Sequence, residues 1–369
     1  MRELPHRVTL KAIAAEAGVS QATVSLSLQG NPRISASTRR RICALAKRMG
    51  YLPDPGVSRM NLYRWGERHV SEGSSVAYLT AFGHVSRPNT GFRSFQQTCW
   101  NGACEEAMKL GYSLFHLDLN QYARPQSVNR LLKARGVRGL IVGPVRDAVW
   151  AKGLDWESFP AVAIERGAIQ LPIHTISPDD FAGARLICQQ LRGRGYRRIG
   201  LTVQWDNLTY GYPETRVAGL LHEMQFGERT LGQMPLLQTD FRDVGKLKQW
   251  LEQYRPDCVV GTNGSVYWDL HDAGWRCPRD VGCAILVYQR LRPDAVDVSG
   301  IDRRGFQLGV AAMQFLDSRI RLNQTLPAPE ELQTILVPPK WEEGTTVQPV
   351  RRRSTRAKTR ARLRAPGRP

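Results

Sequence analysis

Between Thr9 and Gln29, two apolar periodicities of helical spacing are separated by a single glycine, and nothing else in the chain restricts the fold as severely. Leu10, Ile13, Ala14 and Ala17 recur along one helix face behind Thr9, a hydroxyl residue suited to capping a helix start. Gly18 ends that helix, because glycine accepts the left-handed backbone of a tight exit. Val19 plugs the corner, and Ser20 caps a second helix over 21–29 with Val24 and Leu28 on one face. Gln21, Ala22, Ser25 and Leu26 fall elsewhere on its circumference. Gly30-Asn31-Pro32 is a turn, and Ser35 or Ser37 caps a third helix over about 37–49, with Ile42, Leu45, Ala46 and Met49 as its buried stripe. Two short helices across a glycine corner form a helix-turn-helix, whose second helix enters the major groove of DNA by its N-terminal residues.

Charge is segregated in a way that agrees with this reading. The 369 residues carry a formal net charge of +19. Residues 1–70 hold twelve Lys/Arg against four Asp/Glu, and residues 344–369 hold nine Lys/Arg and no acid, which leaves about +2 for the 273 residues between. Basic character confined to the ends is expected if those ends meet phosphate; solubility alone would explain a high charge but not its segregation. Arg39, Arg40, Arg41, Lys47 and Arg48 ride the third helix, either as phosphate contacts or as a solvated face.

The run Val8-Thr9-Leu10-Lys11-x-Ile13-Ala14-x-x-Ala17-Gly18-Val19-Ser20-x-Ala22-Thr23-Val24-Ser25 continues in Asn31-Pro32-Arg33-Ile34-Ser35, Thr38-Arg39-x-x-Ile42 and Gly50-Tyr51-x-Pro53-Asp54-Pro55. It resembles the headpiece of the LacI/GalR family of transcription regulators. The resemblance implies that residues 1–53 read double-stranded operator DNA. It places Gln21 and Ala22 at base edges and Thr23 and Ser25 near phosphate, with Thr9, Ser20 and Asn31 in the same interface. Many members carry an arginine after Thr-Val-Ser; here Leu26 stands there, which removes a bidentate reader of guanine. Leu26 either touches a thymine methyl or packs. Residues 54–73 match a hinge that folds in the family only on DNA, two copies of a dimer wedging apolar side chains into the minor groove. Met60 occupies the wedge position. Gly56 opposes that helix by on the order of 1 kcal/mol, and the alternative is a plain linker.

Residues 74–345 alternate short apolar runs with amphipathic segments, the signature of parallel α/β architecture. Strands are expected over 75–80, 113–117, 139–142, 161–164, 198–203, 258–262 and 281–286, and helices over 95–110, 128–134, 180–194, 214–224, 244–254, 266–273 and 305–320. Asp179-Asp180-x-x-Gly183, the segment 194–200, Arg216-x-x-Gly219, Pro256-Asp257 and Gly274-x-x-x-Pro278-x-Asp280-Val281 resemble landmarks of the same family's core. The fold class expected is therefore an all-α helix-turn-helix headpiece followed by a two-lobed α/β, periplasmic-binding-protein-like core. Such cores hold ligands in a cleft at the carboxyl ends of strands.

The resemblance carries Arg216 to the guanidinium that clamps an effector. It puts Phe241 either at an aromatic wall or in the core. Asn263 matches the first member of an Asn-Asp pair whose second member here is Gly264. The acidic pair that follows the late strand is replaced by Ile285-Leu286-Val287-Tyr288, so both acidic sites for sugar hydroxyls are missing. Tyr288, Trp268 or Trp205 lines a different pocket or belongs to the core. The resemblance implies a sugar or related metabolite as effector; the missing acids point to a less hydroxylated one, or to none.

Other classes are disfavoured. No apolar run reaches 18 residues, and the N-terminus has no apolar segment behind its charges, so a cytoplasmic location without a membrane partner is expected. The seven cysteines are scattered with no Cys-x-x-Cys pair, as reduced thiols are. Cys99 and Cys104 read as helix packing. No Ser-His-Asp spacing, phosphate loop, His-Glu-x-x-His or metal cluster suggests an enzyme, a cofactor or a metal. The partners expected are a pseudo-palindromic operator, a small-molecule effector and a second copy of the chain. Residues 346–369 have the composition of a disordered basic tail, which either adds salt-sensitive DNA affinity or makes no contact.

Overall fold

The computed structural model describes residues 8–28, 34–49, 51, 75–81, 95–143, 148–165, 171–204, 213–226, 236–239, 243–262, 264–288 and 296–349. At the N-terminus, α1 (Leu10–Ala17), α2 (Gln21–Leu28) and α3 (Ala36–Arg48) bury Ile13, Ala14, Ala17, Val24, Ile42, Leu45 and Ala46 against one another. Gly18 adopts φ 65°, the left-handed exit that its lack of a Cβ permits. Ser35 caps α3 by accepting from the Thr38 amide at 3.2 Å, so that helix starts one residue before the expected position. One core member was not expected: Ser27 is fully buried. Its hydroxyl donates to the Thr23 carbonyl at 2.7 Å, which satisfies the polar group inside its own helix.

Behind the headpiece the chain forms two compact units and passes between them after Pro178, Arg303 and Val337. The first unit holds a six-stranded sheet of β1 (Ser75–Thr80), β2 (Ser113–Asp118), β3 (Gly139–Val142), β4 (Ala161–Ile164), β5 (His174–Pro178) and β11 (Thr334–Val337). Its order is β11-β5-β4-β3-β1-β2, and every pairing is parallel. Both faces are covered, which is why β1, β3 and β4 read as unbroken apolar runs. Val76 and Tyr78 point to one side, with Phe95 and Cys99 of α4 (Phe95–Lys109) and Leu308, Met313 and Leu316 of α11 (Gly305–Leu322). Ala77 and Leu79 point to the other, with Val128 and Leu132 of α5 (Pro125–Ala134) and Trp150 of α6 (Ala148–Gly153).

Helices α4 and α11 approach so closely that a Cβ at Gly309 would lie 1.9 Å from the Cys99 carbonyl oxygen. Alanine there must push the two backbones apart. We expect Gly309→Ala to destabilise the first unit by about 1–3 kcal/mol, less the roughly 1 kcal/mol that alanine gains in a helix. A lowered midpoint in urea unfolding checks this, and an unchanged or raised midpoint contradicts it.

The second unit holds β6 (Ile199–Gln204), β7 (Leu237–Thr239), β8 (Cys258–Gly261), β9 (Gly282–Ile285), β10 (Ser299–Asp302) and β12 (Lys340–Glu342) in the order β12-β10-β9-β8-β6-β7. All pairings are parallel except that of β12. Helices α7 (Asp180–Gly193) and α8 (Pro213–Phe226) pack beside each other, joined by buried Glu223, which accepts from Arg185 at 2.8 Å and Arg192 at 2.9 Å. α9 (Val244–Tyr254) and α10 (Ser265–Asp272) share the cluster around Leu247, Trp250, Leu251, Val266 and Leu270.

Five strands, β5, β7, β10, β11 and β12, and one short helix, α6, had no counterpart in the sequence reading. β5 is His-Thr-Ile-Ser-Pro and β10 is Ser-Gly-Ile-Asp; each carries one large apolar residue, too few to announce a strand. α5 begins three residues earlier than expected, at Pro125, since proline suits the first turn of a helix.

Candidate functional site

Two regions concentrate groups that the core does not consume. The first is the N-terminal end of α2. Thr9 caps α1 by accepting from the Ala12 amide at 3.2 Å, and Ser20 caps α2 by accepting from the Thr23 amide at 3.1 Å. The Ser20 and Thr23 hydroxyls lie 2.9 Å apart. Burying Val24 and Ser27 against α1 and α3 turns the opposite face outward. Gln21 and Ala22 are exposed at its first turn, while Thr23, Ser25 and Leu26 are half-buried. α3 adds exposed Arg40, Arg41, Lys47 and Arg48. A helix N-terminus, an exposed amide side chain and neighbouring cations together suit a polyanion.

The second region is the set of strand carboxyl ends. Doubly wound sheets bind ligands where strand order reverses, which is between β1 and β3 in the first sheet and between β6 and β8 in the second. In the first unit, buried Thr80 closes β1 with its hydroxyl 2.7 Å from His116 Nε2, and Asp118 closes β2. Glu165 follows β4, buried, with φ 67°. A left-handed backbone in a residue other than glycine costs on the order of 1–3 kcal/mol and concentrates at functional positions.

In the second unit, Asp180 opens α7 and accepts from Arg303 Nε at 2.9 Å, Arg303 Nη2 at 3.1 Å and Arg216 Nε at 3.2 Å. Burial pushes the Asp180 carboxyl up, but the two guanidinium charges and their hydrogen bonds outweigh it and hold the group below the ordinary carboxylate value. Thr262 follows β8, buried, and among the described residues its hydroxyl has no hydrogen-bond partner. Tyr288 is half-buried and donates from its hydroxyl to Asp297 Oδ1 at 2.8 Å.

The sequence-derived residues therefore divide. Arg216 is fully buried and joined to Asp180 and Arg303, and Tyr288 is engaged with Asp297. Trp268 is 47% exposed. Asn31, Met60, Trp205, Phe241 and Asn263 lie outside the described residues. Glu165, Thr262 and Arg303 were not singled out from the sequence. One signal was available for Glu165: it is the first ionisable residue after the buried run 161–164.

The seven cysteines are all free thiols, and burial pushes Cys188 up to about 12, which makes it a poor nucleophile. Among the described residues no group of His, Cys, Asp and Glu side chains is arranged to hold a metal ion, and no helix is long and apolar enough to cross a membrane.

Comparison with known proteins gives two family matches. Residues 9–54 match the model described as bacterial regulatory proteins, lacI family. Residues 85–296 match that of periplasmic binding proteins and sugar binding domain of LacI family. The HTH-type transcriptional regulator KdgR of Bacillus subtilis (strain 168) is 22% identical over 347 residues, covering 89% of this chain and 96% of KdgR. RafR of Escherichia coli, also an HTH-type transcriptional regulator, is 27% identical over 216 residues, covering 58% of this chain and 60% of RafR. Among solved structures, the transcriptional regulator CelR–cellobiose complex matches with TM-score 0.56 at 18% identity, over 92% of this chain and 100% of that one. The lac repressor dimer bound to operator and the anti-inducer ONPF matches with TM-score 0.51 at 18% identity, over 93% and 99%. At such identities the structures speak for the fold alone.

Proposed function

Because the chain belongs to the LacI family of bacterial regulatory proteins, we propose that it is a dimeric repressor of transcription whose grip on a pseudo-palindromic operator is set by a small ligand at the strand carboxyl ends of its core. The observation that carries the reading is the exposed first turn of α2, with Gln21 and Ala22 presented above a packed three-helix core. In this reading Gln21 and Ala22 meet base edges, while Thr9, Ser20, Thr23, Ser25 and Asn31 position the backbone. Leu26 contacts a thymine methyl, and Met60 wedges the central minor-groove step.

The ligand is a sugar or a related metabolite. Thr262 and the Arg216–Asp180–Arg303 cluster of the second unit supply polar groups to it, together with Asn263 and Phe241. Ligand binding shifts the population of the core between two arrangements that hold the dimer's hinges at different spacings. The absence of acids at Gly264 and Val287 favours a second reading, a regulator that binds DNA without a ligand.

Selection of bound DNA from a random pool, with and without cellobiose, ribose and sugar acids, separates the two. A two-fold symmetric consensus lost or strengthened with one ligand supports the sensor. A consensus indifferent to all of them supports the second reading, and an asymmetric or absent consensus overturns the dimeric reader. On the selected operator, Gln21→Ala is expected to cost about 1–3 kcal/mol and to relax preference at one base pair in each half-site. A uniform loss across all sequences would instead make Gln21 a phosphate contact.

A further inference from the structure

The first unit carries a polar cavity away from the carboxyl ends of its strands. It has a volume of about 390 Å³ and is lined by His174, Arg319, Gln324, Thr325, Glu331 and Gln333, with Leu326 and Pro327. This lies within the range of about 300–1,000 Å³ typical of small-molecule sites. His174 is the first residue of β5, Gln333 directly precedes β11, and Arg319 stands in the last turn of α11. Strands β1, β5 and β11 are parallel members of one sheet, so the cavity opens at their amino ends, the opposite end from Thr80 and Glu165. Ser75, the first residue of β1, lies at this same end of the sheet.

The lining is built for a ligand with two poles. His174 is 3% exposed, and its ring packs edge-on to Phe315 at 5.2 Å. Its Nδ1 accepts the Gln333 amide at 3.2 Å, which leaves the ring proton on Nε2. Among the described residues that buried Nε2–H has no hydrogen-bond partner, and a buried donor without an acceptor is rare in folded proteins. Burial and the nearby Arg319 charge lower the proton affinity of His174 by more than Glu331 raises it, in keeping with a neutral ring whose Nδ1 accepts. Among the described residues Arg319 makes no ion pair. Glu331 uses Oε2 to accept the Ala328 amide at 3.2 Å, which leaves Oε1 available. The cavity thus sets two donors, one of them a cation, against one carboxylate.

We propose that this cavity binds a small hydroxy- or amino-carboxylate, its acid group taken by Arg319 and the His174 Nε2–H, and its hydroxyl or ammonium taken by Glu331. A guanidinium and a neutral imidazole donor match two carboxylate oxygens. Glu331 excludes simple anions, because an anion without a donor would face it uncompensated.

Isothermal titration of the full-length protein with L-lactate and L-alanine tests the site, with propionate and ribose as one-pole controls. One of the two acids is expected to bind once per chain and to be weakened by roughly tenfold or more in Arg319→Gln, a partly exposed position whose change should leave the melting temperature in place. His174→Gln should weaken the same acid. Absence of binding by both acids, or equal affinity in wild type and Arg319→Gln, overturns the proposal. Propionate binding as tightly as either acid overturns the role of Glu331.

Discussion

Replacing Ile42 with aspartate is expected to abolish sequence-specific DNA binding while leaving the two core sheets folded. Ile42 is completely buried among Ile13, Ala14, Val24 and Leu45. A three-helix headpiece of this size draws only about 3–5 kcal/mol from its core. A buried carboxylate with no partner costs more than that or must be protonated. The headpiece therefore unfolds, and α2 no longer holds Gln21 and Ala22 at fixed positions. Operator affinity should drop toward the nonspecific level, a loss on the order of 10³-fold or more. Fluorescence anisotropy on the selected operator measures the loss, and the melting of the core serves as the internal control. Retention of specific binding would mean that another part of the chain reads DNA.

Replacing Asp180 with alanine is expected to be the most damaging single change in the second unit. Asp180 is the shared acceptor of Arg216 and Arg303, whose side chains are only 2% and 5% exposed. Removing one partner of a buried ion pair costs about 3–5 kcal/mol, because charge is left behind in a poorly solvating interior. The same cluster imposes a pH dependence. The folded-state carboxyl lies below its ordinary value, and unfolded aspartate titrates near ~3.9. Its stabilisation is thus complete above about pH 5, and is lost as pH falls through the lowered folded value. Urea unfolding at pH 7 and pH 3 should show a large gap between wild type and Asp180→Ala at the higher pH and a smaller gap at the lower. A constant gap would place the loss in packing rather than in charge.

Legibility in the sequence followed burial. β1, β3, β4 and α9 were read with the bounds they have, because both faces of those strands are covered and α9 has a clean stripe through Leu247, Trp250 and Leu251. β5 and β10 were opaque for a related reason. Their hydrogen bonds reach partners remote in the chain: His174 Nδ1 accepts from the Gln333 amide at 3.2 Å, and the Ser299 amide donates to Thr346 at 3.0 Å. No local pattern contains such pairings.

The two candidate sites differ in the same way. The outward turn of Gln21 and Ala22 follows from which residues of α2 must be buried, so it was visible in periodicity alone. Arg303 reaches Asp180 across 123 residues of sequence, and Glu165 matters through a backbone angle and a burial that only the assembled sheet creates. Arg216 was assigned through resemblance; its place within a buried cluster of two arginines and one acid was not.

The interleaved path of the chain has a consequence for its synthesis. β11 and β12 lie within residues 334–342, so both sheets receive an edge strand from one stretch that is made after all their other described strands. A nascent chain halted soon after Arg303 leaves β5 and β10 with open edges that other chains can pair with. At ordinary ribosome speeds this vulnerable interval lasts on the order of 2–8 s. A premature stop codon there would yield two unfinished sheets prone to aggregation rather than one working lobe.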